Sequence, residues 1–397
     1  MKFLKSYTKT DFSYVLLFLV LSLGYFSLAL QNILLPVFIL SVLFNYKEAN
    51  FKDNSKIILF VISVPFILTI ISCFYSENID VALKLTTRRA LLIIIGFFVL
   101  AMPHKALSFI KGVNLFIFFS IIASLITITR GILLFNHNGV FFHPNFTPYF
   151  TVIHHPYFAA YLLIALILMM EYFNEIKFGK WVKVFSLTLL AITIILSTAR
   201  LGQVSLFLYF SYKCFGYLKG GIKTKKVVSL SVLIVFLFSL LFITRTDIIA
   251  FKYNQDINLE KSPRLIIWNN TIKVIKNQTG IFKGIGIGDY QKILDEQYSV
   301  SMHKDYSKMI LIDYNPHNQY LEFLLTNGGL GVVFSLYVLY FLLKAFNLKN
   351  KVFFIYMIFI SFFFLTECVL NRQIGIYFVA VLLPVLYKIS FLNKVYE

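Results

Sequence analysis

IILFVISVPFILTIISCFY, residues 57–75, runs without a single charged side chain. As a helix it would rise about 28 Å, close to the roughly 30 Å hydrocarbon core of a bilayer. A lipid-spanning barrel strand would alternate apolar and polar residues. This run is continuously apolar, so a helix is the reading. Similar runs lie on both sides of it, near 13–30, 32–45, 85–102, 109–129, 155–173, 182–198, 201–218, 227–243, 318–345, 352–370 and 374–391. The shortest, 32–45, reads as tilted or re-entrant, and 85–102 starts beside Arg88 and Arg89.

The expected fold is therefore all-α, a polytopic transmembrane bundle of about 12 spans. The composition agrees: the chain is 59% apolar with a mean hydropathy of +0.79, against roughly 45–50% apolar in soluble domains. The N-terminus lacks the short apolar core and small-residue cleavage site of a removable signal, so the first span is expected to stay. Three parts follow: helices in 1–243, one large extracytoplasmic loop with short helices at 244–317, and helices in 318–397.

The net charge is +19, but its distribution argues against nucleic acid. With the N-terminus in the cytoplasm, every inner connection is rich in lysine, from Lys2, Lys5 and Lys9 to the run Lys219, Lys223, Lys225 and Lys226 and on to Lys388 and Lys394. The short outer connections hold only Lys84. That is the positive-inside pattern, and it places both termini in the cytoplasm. The basic excess then sets topology and meets anionic membrane lipids.

The arginines run the other way. Arg88, Arg89, Arg130, Arg200, Arg245, Arg264 and Arg372 all fall on the outer side or in the outer part of a span. A planar guanidinium fork suits phosphate, so the outer face is expected to bind a phosphate or pyrophosphate group. The competing reading has these arginines at lipid headgroups or paired with Glu77, Asp80, Asp247 and Glu367.

In the large loop, Ser262 and Pro263 form a helix start. Leu265, Trp268, Ile272 and Ile275 then share one face of an amphipathic helix over 263–277. Such a helix would lie in the interface with Trp268 as anchor, and Arg264 in its first turn would join the positive helix end in an anion site. GIGIGDY follows at 284–290. Its glycines would let backbone approach a phosphate, or simply make a tight turn. The loop closes at His317, beside Asn318 and at the mouth of the next span, where a neutral imidazole can take a proton from a hydroxyl. Gly328, Gly329 and Gly331 read as close helix packing. Cys73, Cys214 and Cys368 are scattered in apolar surroundings, and no His, Cys or carboxylate spacing suggests a metal.

STARLGQ at 197–203, PRLIIW at 263–268, GIGIGDY, and PHNQYLEFLLTNGGLG at 316–331 together resemble the O-antigen ligase and polymerase superfamily. The resemblance covers the C-terminal half; the N-terminal half is similar only as a series of helices. It implies a metal-independent glycosyltransferase in the bacterial inner membrane that uses no cofactor and draws its donor glycan from undecaprenyl diphosphate. The acceptor is the lipid A core in a ligase, or another lipid-linked repeat unit in a polymerase. Carried onto this chain, Arg200 and Arg264 would bind the diphosphate and His317 would activate the acceptor hydroxyl. The charge map adds Arg130, Arg88 and Arg89 as further candidates for substrate binding, and the amide of Asn318 beside His317 is another. A ligase is the first reading, a polymerase the second, and a flippase or transporter the third. The third would call for inverted repeats and charges deep in the bilayer, and the sequence offers neither.

Overall fold

A computed structural model describes residues 8–45, 53–103, 105–138, 153–197, 199–219, 263–279, 284–305 and 313–390. Every regular element among them is helical. The span expected at 227–243, the first residues of the expected loop and the proposed cap Ser262 lie outside the described residues. Contacts divide the chain into two units, one drawn from Met1–Asn45 and Lys105–Gln255, the other from Tyr46–His104 and Asp256–Glu397.

The first unit holds α1 (Lys9–Leu23), α2 (Leu28–Leu43), α5 (Ala106–Asn138), α6 (His155–Glu171), α7 (Lys180–Leu196) and α8 (Arg200–Lys219). α1 packs on α2 and α5, and α6 packs on α5, α7 and α8. From Tyr157 to Met169 every residue of α6 is buried, as expected for a helix that is apolar all round and enclosed by its neighbours. Thr8 and Asp11 form a capping box at the start of α1. Asp11 also accepts from Ser108 at 2.7 Å and Lys111 at 2.8 Å, which ties α1 to α5.

The expected boundary between the first two spans is corrected. The chain breaks at 24–27 rather than at 31, because Gly24 caps α1 and the Ser27 hydroxyl accepts from Leu30 N to start α2.

The second unit holds α3 (Asp53–Cys73), α4 (Ile79–Ala101), α9 (Pro263–Val274), α10 (Tyr290–Asp305), α11 (Gln319–Asn327), α12 (Val332–Asn347), α13 (Lys351–Thr366) and α14 (Gln373–Ile389). Among the described residues, three helical stretches can cross a membrane by length and composition: Ser55–Cys73, Ala106–Leu133 and Gln319–Asn347. Four shorter apolar helices, Leu28–Leu43, His155–Glu171, Lys351–Thr366 and Gln373–Ile389, accompany them.

Two sequence expectations change here. The span expected at 85–102 is a helix that begins at Ile79, capped by the Asn78 side chain on Val81 N. Arg89 therefore stands about 15 Å along it rather than at its mouth. The span expected at 318–345 is not one continuous helix. It breaks into α11, a 3-10 turn at Gly328–Gly331, and α12. Gly328 caps α11 at φ +59°, and a Cβ on Gly331 would run into the Phe323 carbonyl. Gly328 turns the chain, whereas Gly331, at φ −60°, gives room to the α11 backbone, the close helix packing expected.

The glycines of GIGIGDY form a clasp. Ile285 N and Gly286 N donate to the carbonyls of Leu325 and Thr326 at 3.0 and 3.1 Å, and Gly288 N donates to Ser76 Oγ at 3.0 Å. Asp289 then accepts from Glu77 N at 2.7 Å and Asn78 N at 2.9 Å. The segment thus fastens the α3–α4 turn to the end of α11, and these amides are spent on protein rather than offered to a phosphate. Gly286 sits at φ +97°, and a Cβ there would lie 2.5 Å from Ser76 Oγ. Gly286→Ala is expected to cost about 1–3 kcal/mol and to lower the thermal unfolding midpoint of the detergent-purified protein. An unchanged midpoint would refute the clasp.

Candidate active site

His317 and Arg264 meet on one carboxylate. His317 Nδ1 lies 3.1 Å from Glu367 Oε2, and an Arg264 terminal nitrogen donates to Glu367 Oε1 at 2.9 Å. Glu367 is the C-cap residue of α13, Arg264 lies in the first turn of α9, and His317 precedes the N-cap of α11. Three helix ends therefore converge in the second unit.

The local backbone explains how His317 is aimed. It stands at φ +45°, a left-handed conformation that is uncommon for a side-chain-bearing residue. The Asn315 side chain accepts its backbone N–H at 2.9 Å, and the Tyr314 ring packs 5.7 Å from the imidazole. Asn318 follows as the N-cap, accepting from Tyr320 N and Leu321 N at 3.0 and 3.1 Å.

Exposure grades across the group. The Glu367 side chain is 6% exposed, that of His317 19% and that of Arg264 42%. The carboxylate is held inside, the imidazole sits at the boundary and the guanidinium reaches outward. An ionised carboxylate only accepts hydrogen bonds, so Nδ1 is the donor in this contact, and a neutral ring in that tautomer carries its lone pair on Nε2. From the sequence, Glu367 reads only as an arginine partner. A lone carboxylate ending the apolar run of α13 was the available signal, and its distance in sequence from His317 hid the pair.

The remaining predicted residues fall elsewhere. Arg88 donates to the Asn371 carbonyl at 3.3 Å. Arg89 is fully buried and spends its donors on protein: Thr69 Oγ1 at 2.7 Å, Asn371 Oδ1 at 2.6 Å, the Leu370 carbonyl at 3.3 Å, and an ion pair with Glu322. It is therefore withdrawn as a substrate contact. The pair places two charges inside the protein, Arg89 within α4 and Glu322 within α11. Asn318 is buried and serves as a cap. Arg130, in α5, and Arg200, the first residue of α8, are both exposed and belong to the first unit.

The helix predicted over 263–277 is present as α9 and a following π turn at Ile275–Thr279. It packs on the rest of the unit through a second face, one that the spacing did not single out. Ile266, Ile267, Thr271 and Val274 are buried with Tyr290, Leu294 and Leu325, whereas Leu265 and Ile272 are exposed. The stripe expected in the interface is split: Leu265 and Ile272 are exposed, and Trp268 and Ile275 are half-buried against the core.

Tyr290 joins the polar network below the site, accepting from Asn371 Nδ2 at 3.1 Å. Burial, and then the Glu322 charge, push its phenol well above the ordinary value. It stays neutral and acts by hydrogen bonding alone.

Apolar helices built this way, with a histidine, a carboxylate and an arginine gathered where three of them end, define a multi-pass helical membrane protein with a polar site. Residues 185–336 match the family model described as O-antigen ligase, which supports the O-antigen ligase and polymerase superfamily and a glycosyltransferase activity of that general type. Arg200, Arg264, His317 and Asn318 lie within the match; Arg88, Arg89, Arg130 and Glu367 lie outside it. No curated protein matches the chain.

Proposed function

We propose that the protein transfers a glycan from undecaprenyl diphosphate to an acceptor hydroxyl on the outer side of the bacterial cytoplasmic membrane, as an O-antigen ligase with the lipid A core as acceptor. Both termini are cytoplasmic in this reading. The observation that carries it is the single carboxylate shared by His317 and Arg264.

The chemistry needs no nucleotide, because a sugar diphosphate is already an activated donor. The acceptor oxygen attacks the anomeric carbon and loses its proton to His317 Nε2. The bond from that carbon to the diphosphate oxygen breaks, and undecaprenyl diphosphate leaves with the electron pair. Direct attack inverts the anomeric centre. Glu367 holds the imidazole in the tautomer that can accept and steadies the cation that forms. Arg264, the most exposed member of the group, meets the charge developing on the departing diphosphate. Arg200 keeps the diphosphate-binding role implied by resemblance, and Arg88 and Arg130 remain further candidates. The residues supply both the base and the cations, so the reading is metal-independent.

The alternative is a polymerase that places the glycan on another lipid-linked repeat unit, with the same donor chemistry. Deleting the gene in its host and resolving surface and carrier-linked glycans by gel and mass spectrometry separates the two. Long glycans stranded on the carrier are the expected result for a ligase. Single repeat units on the final acceptor would show a polymerase instead. Glycans unchanged in every pool would sink the transferase reading and bring a lipid-linked sugar flippase forward.

A further inference from the structure

Below the His317–Glu367 pair lies a fully buried polar network that the proposed reaction does not use. Arg89, in the middle of α4, donates to the Leu370 carbonyl at 3.3 Å, Asn371 Oδ1 at 2.6 Å and Thr69 Oγ1 at 2.7 Å, and pairs with Glu322. The other Glu322 oxygen accepts from Gln319 Nε2 at 2.5 Å. Gln319 Oε1 in turn accepts from Leu370 N at 2.7 Å. Arg89, Gln319 and Glu322 are all completely enclosed, and the guanidinium carbon stands 4.9 Å from the Phe323 ring centre.

The two ends of this network are the two segments that carry the site. Gln319 lies two residues after His317 in sequence, and Leu370 lies three after Glu367. The Gln319–Leu370 bond joins the segments directly, and Arg89 grips both, one through Glu322 and the other through Leu370 and Asn371. A buried ion pair is a poor source of stability, since the desolvation it costs often matches what it returns. What a rigid guanidinium fork does supply is several donors in fixed directions.

We infer that Arg89 is a positioning residue, which with Glu322 and Gln319 sets the separation of His317 and Glu367. The inference rests on the proposed role of that pair.

The test uses full-length protein with Arg89→Lys and Gln319→Met, assayed with a lipid-diphosphate-linked glycan donor. Lysine keeps the charge opposite Glu322 but cannot reach the same set of acceptors. Both variants are expected at wild-type membrane levels with donor KM within about threefold and kcat lower by about 10–100-fold, the range that misplacement by about 1 Å can produce. A network that only neutralises Glu322 would be rescued by lysine, so kcat within threefold of wild type in both variants overturns the inference. If either single variant fails to accumulate, Arg89→Met/Glu322→Leu, which leaves no orphan charge, reports the same kcat. His317→Ala is run alongside. If it retains activity, the reading of the pair fails; if it is inactive while the network variants are wild-type, only the positioning inference fails.

Discussion

His317→Ala is expected to lower glycan transfer by about 10²–10⁴-fold, the usual contribution of a positioned general base, while the protein reaches the membrane in normal amount. The His317 side chain is 19% exposed, so its loss opens no large hole in the core. The comparison with Glu367→Gln is more telling than the alanine alone. A carboxylate can only accept, so it directs the proton to Nδ1 and leaves Nε2 basic. A glutamine amide can donate to Nδ1 and stabilise the opposite tautomer, with Nε2 blocked. Glu367→Gln should therefore fall between wild type and His317→Ala. The double variant should be no slower than His317→Ala, because residues acting as one unit lose their effect together. The check is the rate of donor-linked glycan consumption at matched membrane levels. Wild-type turnover by His317→Ala would remove the base from the mechanism, and additive losses in the double variant would separate Glu367 from it.

The helical fold was legible because apolar runs of bilayer length leave backbone few other options. What sequence placed poorly was where helices stop. Gly24 and Ser27 end and start helices inside a run that hydropathy treats as continuous. Gly328 divides another, because its positive φ matters more than its hydropathy. α4 extends back to Ile79 through polar residues, since capping by Asn78 outweighs their low apolarity. For the site, His317 and Arg264 could be proposed from local signals, a helix mouth and a first turn. Their partner could not. Glu367 reaches them only through the way α13 ends against α11 and α9, a tertiary fact that no spacing encodes. Arg89 shows the opposite failure. Its charge suggested a ligand, but Glu322, Asn371 and Thr69 satisfy it in the interior. The face by which α9 packs on the unit was hidden for a similar reason. Thr271 and Asn270 are buried there, and a hydrophobic count cannot see that Thr271 is satisfied by the Ile267 carbonyl at 2.8 Å.

Removing one member of the Arg89–Glu322 pair is expected to have the largest effect on stability. Glu322→Leu strands the Arg89 charge among α3, α4 and α11, and Arg89→Met strands Glu322 beside Tyr290 and Cys368. Breaking a buried pair in this way costs about 3–5 kcal/mol, whereas replacing both members with apolar residues of similar volume is often neutral. Each single variant should therefore be depleted from the membrane and unfold at a lower temperature, and Arg89→Met/Glu322→Leu should recover most of the loss. Size-exclusion profiles and thermal unfolding of the detergent-solubilised proteins measure both. A double variant as depleted as the worse single would show that the hydrogen bonds to Leu370, Asn371 and Thr69, rather than the charge balance, hold the unit together. Recovery of the fold without recovery of transfer would instead separate what Arg89 does for stability from what it does for the His317–Glu367 pair, because an apolar pair can fill the same volume but cannot hold the Leu370 carbonyl and the Asn371 side chain.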